Sequence, residues 1–115
     1  MYLPEHGLDI LLINLNKSGK DFSPTTMYED YAINEKLFNW QSQNGTSENS
    51  KTGQRYLNSK SNVVLFVREK KGLPYVYLGK GHIISHHGSK PMNIVWELDK
   101  SMPQWVLEKS SVIRN

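Results

Sequence analysis

Val63-Val64-Leu65-Phe66-Val67-Arg68 is dominated by β-branched and aromatic residues, breaks at Lys70-Lys71-Gly72-Leu73-Pro74, and is answered by Tyr75-Val76-Tyr77-Leu78. Branched and aromatic side chains pack well on a pleated surface, and an interval holding Gly and Pro turns the chain, so this stretch predicts a β-hairpin. Other short segments repeat the pattern. Leu8 to Leu15 is aliphatic and stopped by Asn16-Lys17-Ser18-Gly19, which fits a largely buried strand. Phe38-Asn39-Trp40-Gln41-Ser42-Gln43 alternates aromatic with polar positions and reads as a half-buried strand. Gln54-Arg55-Tyr56-Leu57 is weakly strand-like, Gly79-Lys80-Gly81 bends into His82-Ile83-Ile84-Ser85-His86, and Met92 to Leu98 is a final strand. Asn34 to Leu37 reads as one helical turn, and the polar stretch Asn44 to Gly53 as an exposed loop. After Ser101 and Pro103, Trp105, Lys109, Val112 and Ile113 recur at roughly helical spacing. The expectation is a mainly β, α+β fold: a curled antiparallel sheet or small open barrel with a C-terminal helix.

A chain of 115 residues holds one core, and no break in composition marks a second. Residues 1–7, with Pro4 and Gly7, read as a linker that need not be ordered, and 8–115 as a single β-rich accessory domain. The absence of cysteine excludes disulfides and thiolate chemistry, and fits a cytoplasmic setting. No apolar stretch approaches the length of a membrane span or a signal peptide. Charge is unevenly distributed. Residues 1–35 are net acidic. From 36 to 90 the cations Lys36, Lys51, Arg55, Lys60, Arg68, Lys70, Lys71, Lys80 and Lys90 face only Glu48 and Glu69. Such a segment suits phosphate, because cationic side chains gain from counterion release; a solvated basic surface is the plainer alternative.

Catalytic motifs are missing. His82, His86 and His87 lie close together, but strand alternation sends the first two to one face and His87 to the other, and no H-E-x-x-H pattern accompanies them. No G-x-S-x-G elbow and no phosphate-cradling loop occurs, and the adjacent Glu29 and Asp30 read as solvated carboxylates. No catalytic residue, metal or cofactor is expected. A more suggestive set mixes aromatic rings with amides and hydroxyls: Tyr28, Asp30, Trp40, Gln41, Ser42, Gln43, Thr52, Gln54 and Arg55. Rings stack on bases, while Gln and Arg present paired donors and acceptors to base edges or phosphate. Arg68, His86, Ser89 and Lys90 complete the candidate nucleic-acid-binding set, with Arg68 equally able to pair with Glu69 or Glu97. Core packing is the competing fate of Tyr31, Phe38 and Trp40.

Six ordered motifs carry a resemblance over nearly the whole chain: Tyr28 to Ile33, Phe38 to Asn44, Thr52-Gly53-Gln54-Arg55-Tyr56, Leu65 to Glu69, Tyr77-Leu78-Gly79 and Gly88-Ser89-Lys90-Pro91-Met92. Together they resemble the uncharacterised domain at the C-terminal end of bacterial DEAD/DEAH-type superfamily II helicases, proteins that often carry a phospholipase-D-like nuclease. That resemblance implies a restriction-like or phage-defence context, with helicase and nuclease domains as partners in cis. The chain has Asn39 and His87 where the family often has His and Glu, and it lacks the helicase phosphate loop and the H-x-K nuclease signature. The leading expectation is therefore a non-catalytic DNA-binding or target-sensing module, in its bolder form a reader of a modified or flipped base, with a fold resembling modified-base reader barrels. A docking or regulatory domain of the helicase is the alternative, and a metal-dependent nuclease the third reading.

Overall fold

The computed structural model describes residues 1–15, 30–42, 45–89 and 91–110. The hairpin expected from Val63 to Leu78 is its centre. Strand β5 (Asn62–Arg68) turns back into β6 (Val76–His87), and β7 (Asn93–Leu98) follows as the next antiparallel neighbour. On the far side of β5 lies β2 (Leu8–Asn14), flanked by the short β1 (Tyr2–Leu3); beyond β7 come β4 (Leu37–Gln41) and β3 (Tyr31–Ala32). The strand order is β1-β2-β5-β6-β7-β4-β3 in one sheet, open at both edges. The sheet is mainly β as expected, but it is mixed, not wholly antiparallel, and does not close. Leu8 to Asn14 run parallel to Asn62 to Arg68. Parallel neighbours need a crossover rather than a tight turn, and the long interval between these two strands supplies it.

Alternation sorts the sheet into two faces. Leu11, Ile13, Val63, Leu65, Val67, Phe38, Ile94, Trp96 and Leu98 point to one side and form a single buried core. Two helices close that side. Helix α1 (Lys51–Leu57) inserts Tyr56 between Trp40 and Trp96, and α2 (Gln104–Ser110) contributes the fully buried Val106.

Three local expectations change. Gln54 to Leu57 is helical, not a strand: Ser50 caps α1 by accepting from the Gly53 N–H at 3.0 Å, and Gly53 lets the helix meet the preceding loop, since a Cβ there would lie 2.0 Å from the Ser47 carbonyl oxygen. Asn34 to Leu37 is a turn between β3 and β4, tightened by Asn34 Oδ1 accepting from the N–H groups of Lys36 and Leu37, both at 2.9 Å. Gly79-Lys80-Gly81 does not end a strand. β6 runs through it with bulges at Leu78 and Ile84, where the register shifts against β5 and β7. At the N-terminus, Tyr2 and Leu3 pair with Asp9 and Leu8, and the Met1 amino group donates to the Ile10 carbonyl at 2.8 Å, so residues 1–7 join the sheet.

Candidate functional site

The residues proposed from sequence do not converge on one surface. Phe38 and Trp40 pair with Trp96 and Ile94 on the core side, which leaves Asn39 and Gln41 at the alternate positions, on the opposite side of the strand. Trp40 and Gln41 therefore cannot grip the same base. Trp40 is half-buried, its ring edge-on to Tyr56 at 5.7 Å and tilted against Trp96 at 6.4 Å. Ser42 is buried and extends the β4–β7 pairing: its N–H donates to the Met92 carbonyl at 2.8 Å and its Oγ accepts from the Met92 N–H at 2.9 Å. Asp30 Oδ1 accepts from the Gln41 N–H at 2.8 Å. On α1, Thr52 is half-buried, while the Gln54 amide donates to the Glu48 carbonyl and accepts from Asn58 Nδ2. His86 and Ser89 are exposed at the far end of β6. Tyr28, Gln43 and Lys90 lie outside the described residues.

Arg55 is committed to the interior. Its Nε and a terminal nitrogen donate to the two carboxylate oxygens of Asp9 at 2.7 and 2.9 Å, and Ser61 Oγ donates to the same carboxylate. Asp9 is 1% exposed. The guanidinium lies 3.6 Å from the centroid of the Tyr2 ring, so β1, β2 and α1 meet at one charge. The hydrogen bond to Asp9, reinforced by its negative charge, holds the Arg55 pKa above its ordinary value despite burial. Nearby, burial and the Asp9 charge push the Tyr56 phenol up to about 12. This cluster ties the fold together, with a fork-to-carboxylate geometry that leaves the guanidinium little capacity for phosphate.

The other face of the sheet is different. Across β2, β5 and β6 its side chains form rows. Leu12, Phe66 and Tyr77 are successive partners in register, as are Ile10, Val64 and Lys80. Phe66 and Tyr77 lie 5.2 Å apart with their planes inclined at 53°, and Tyr77 is 58% exposed. The next positions outward are Asn14, Arg68 and Tyr75: Asn14 Oδ1 accepts from Arg68 Nε at 2.6 Å, and the guanidinium lies 4.3 Å from the centroid of Tyr75. Arg68 pairs with neither Glu69 nor Glu97; Glu69 instead meets Lys109 at 3.5 Å. Lys70, Lys71 and Lys80 are exposed around these rings. The bulge builds this arrangement: it turns Leu78 into the core while Tyr77 stays beside Phe66, at the cost of Gly79 at φ +127°. Sequence reasoning passed over Phe66, Tyr75 and Tyr77. The signal was present, because pairing Val67 with Val76 across the turn forces Phe66 and Tyr77 together onto the other face.

The histidines also rearrange. The bulge at Ile84 places His82 opposite Glu97 and His87 opposite Asn93, on one face, and His86 opposite Ile94 on the other. His82 Nε2 is 2.7 Å from Asp99 Oδ1. Among the described residues, no group of three His, Asp or Glu is placed to hold a metal ion, and no helix is long and apolar enough to cross a membrane. A hollow of about 560 Å³ lies between the β3–β4 turn and α2, lined by Asn34, Glu35, Lys36, Leu37, Glu97 and Leu107, without an aromatic ring to receive a base.

These features define an open-faced β domain: one mixed sheet, a helix-covered side locked by a buried ion pair, and an aromatic and basic side. The chain belongs to the family described as domain of unknown function DUF3427, whose model matches residues 2–109. The match spans both the locking cluster and the open face. A search of curated proteins found no significant match.

Proposed function

We propose that this domain is a non-catalytic nucleic-acid-binding, target-sensing module, serving the helicase and nuclease machinery that its family resemblance implies, and that it binds through the open face of β2, β5 and β6. The observation that carries this reading is the exposed Phe66–Tyr77 pair within the basic segment of the chain, ringed by Arg68, Lys70, Lys71 and Lys80. Exposed rings offer base-stacking surface, and surrounding cations favour phosphate through counterion release. Tyr75 orients Arg68 at the rim, and the hairpin tip brings Lys70 and Lys71 to the same side of the molecule.

Binding of a labelled DNA oligonucleotide, followed by fluorescence anisotropy across a salt series, tests this. Each phosphate contact contributes roughly 0.7 to 0.9 to the slope of log K against log salt, so Lys70→Ala with Lys71→Ala should flatten it by about 1.4 to 1.8. Absence of DNA binding at low salt, or binding indifferent to salt, defeats the reading. The second reading, docking of a protein segment, draws on Leu12, which is 47% exposed in the same row as Phe66 and Tyr77. It expects an apolar contact that survives high salt.

A further inference from the structure

Resting on the nucleic-acid reading, we infer that the ligand of this face is a single strand with unstacked bases, laid across β5 and β6 so that bases stack on Tyr77 and Phe66 while Arg68, Lys70, Lys71 and Lys80 hold its phosphates. The shape of the surface makes the choice. A duplex buries its base faces in its own stack and shows a protein only phosphates and the base edges in its grooves. Its major groove, about 12 Å wide, admits a helix or a two-stranded ribbon. Phe66 and Tyr77 sit on the middle of a sheet, with β2 on one side and β7 on the other, so a groove cannot close over them. Flat rings in the centre of a broad surface can meet only bases that have left a stack.

The row spacing agrees with this. From Leu12 through Phe66 to Tyr77 the platform crosses three strands, about 10 Å at the usual interstrand distance, and from Arg68 to Val64 it extends roughly 13 Å along β5. The apolar rows Leu12–Phe66–Tyr77 and Ile10–Val64 occupy the centre, and the cations stand at its rim: Arg68 beyond one end, Lys80 beside Val64, and Lys70 with Lys71 at the hairpin tip. Acidic groups stay clear of the rings. Glu69 is drawn away by Lys109, Asp99 is engaged by His82, and Glu97 lies on the β7 side, opposite His82. Rings inside and positive charge outside match a strand that turns bases inward and phosphates outward.

The test uses the whole chain with three fluorescein-labelled probes: a 12-nucleotide oligo-dT, a 12-base-pair duplex, and a 12-mer with abasic sites at its six central positions. Oligo-dT is expected to bind at least tenfold more tightly than either of the others. Tyr77→Ala should weaken oligo-dT binding roughly 5- to 150-fold, the loss of stacking on one base, with the salt slope unchanged, and Tyr77→Phe should restore it. Equal or tighter binding of the duplex, or of the abasic probe, overturns the single-strand inference while leaving a nucleic-acid role standing; so does a Tyr77→Ala chain that folds and binds as before. Failure of all three probes to bind at low salt overturns both. The abasic comparison needs no variant and holds even if Tyr77→Ala does not fold.

Discussion

Arg55 and Asp9 can be tested as a pair, and the two halves should not respond equally. The Asp9 side chain is 2% exposed and that of Arg55 15%. Removing one partner of a buried ion pair costs about 3–5 kcal/mol, most of it the burden of the charge left behind. Asp9→Ala strands a guanidinium whose edge still reaches water and whose face still rests on Tyr2, so a loss of about 3 kcal/mol is expected. Arg55→Ala strands a carboxylate that keeps only Ser61 and is sealed from solvent, which puts the loss near 5 kcal/mol. Urea unfolding followed by fluorescence of Trp40, Trp96 and Trp105 reads both. With m about 1.5 kcal/mol/M, the midpoints should fall by roughly 2 M and 3 M. The combined Asp9→Leu, Arg55→Met chain should recover most of the loss, because neither charge then remains buried. An Arg55→Ala chain that loses less than about 1 kcal/mol at unchanged m would refute the reasoning, and would return Arg55 to the pool of side chains able to meet phosphate.

Gly53→Ala, which on an exposed helix would stabilise by about 1 kcal/mol, should instead destabilise by on the order of 2 kcal/mol, since the added Cβ would meet the Ser47 carbonyl oxygen and Met92 Sδ; a raised Tm would contradict the close approach. Gly79→Ala meets no neighbouring atom, so its whole expected cost, about 1–3 kcal/mol, is backbone strain at φ +127°, and a neutral result in thermal unfolding would deny the bulge. Stability should also fall in alkali. Tyr56 titrates at about 12 in the folded chain against 10.0 for an ordinary tyrosine, so the native state retains a proton that the unfolded state has released. Its contribution, on the order of 2 kcal/mol, is fully present below pH 10 and is lost as pH rises toward 12. Tyr56→Phe should flatten that limb in urea titrations at several pH values, and an unaltered slope would assign it elsewhere.

The strands were legible where local chemistry fixes them. Val63 to Arg68, with its branched residues and the Gly/Pro turn after it, and Met92 to Leu98 lie within a residue or two of where the pattern puts them. The terminal helix was signalled by Ser101 and Pro103. Helix α1 was not legible, because seven residues containing Thr, Gly and Tyr carry weak helical propensity, and its stability comes from the Ser50 cap, the Arg55–Asp9 pair and Tyr56 packing between two tryptophans. The Ser50 cap was its one local signal. The parallel pairing of β2 with β5 was hidden for another reason: it is decided by contacts more than 50 residues apart, such as Ile13 against Val67. Bulges at Leu78 and Ile84 defeat simple alternation, which is why the histidine faces came out reversed and why Tyr77 emerges beside Phe66. Of the binding residues read from sequence, Arg68 alone belongs to the aromatic and basic surface of β2, β5 and β6.

Amide chemical-shift mapping of the ¹⁵N-labelled chain, titrated with a 12-nucleotide oligo-dT, most directly tests where ligand meets protein. Shifts should concentrate on Leu12, Phe66, Arg68, Lys70, Lys71, Tyr77 and Lys80, leaving α1 and Trp40 undisturbed. Shifts centred on Trp40, Thr52 and Arg55, or none at saturating oligonucleotide, would contradict the assignment of function to the open face.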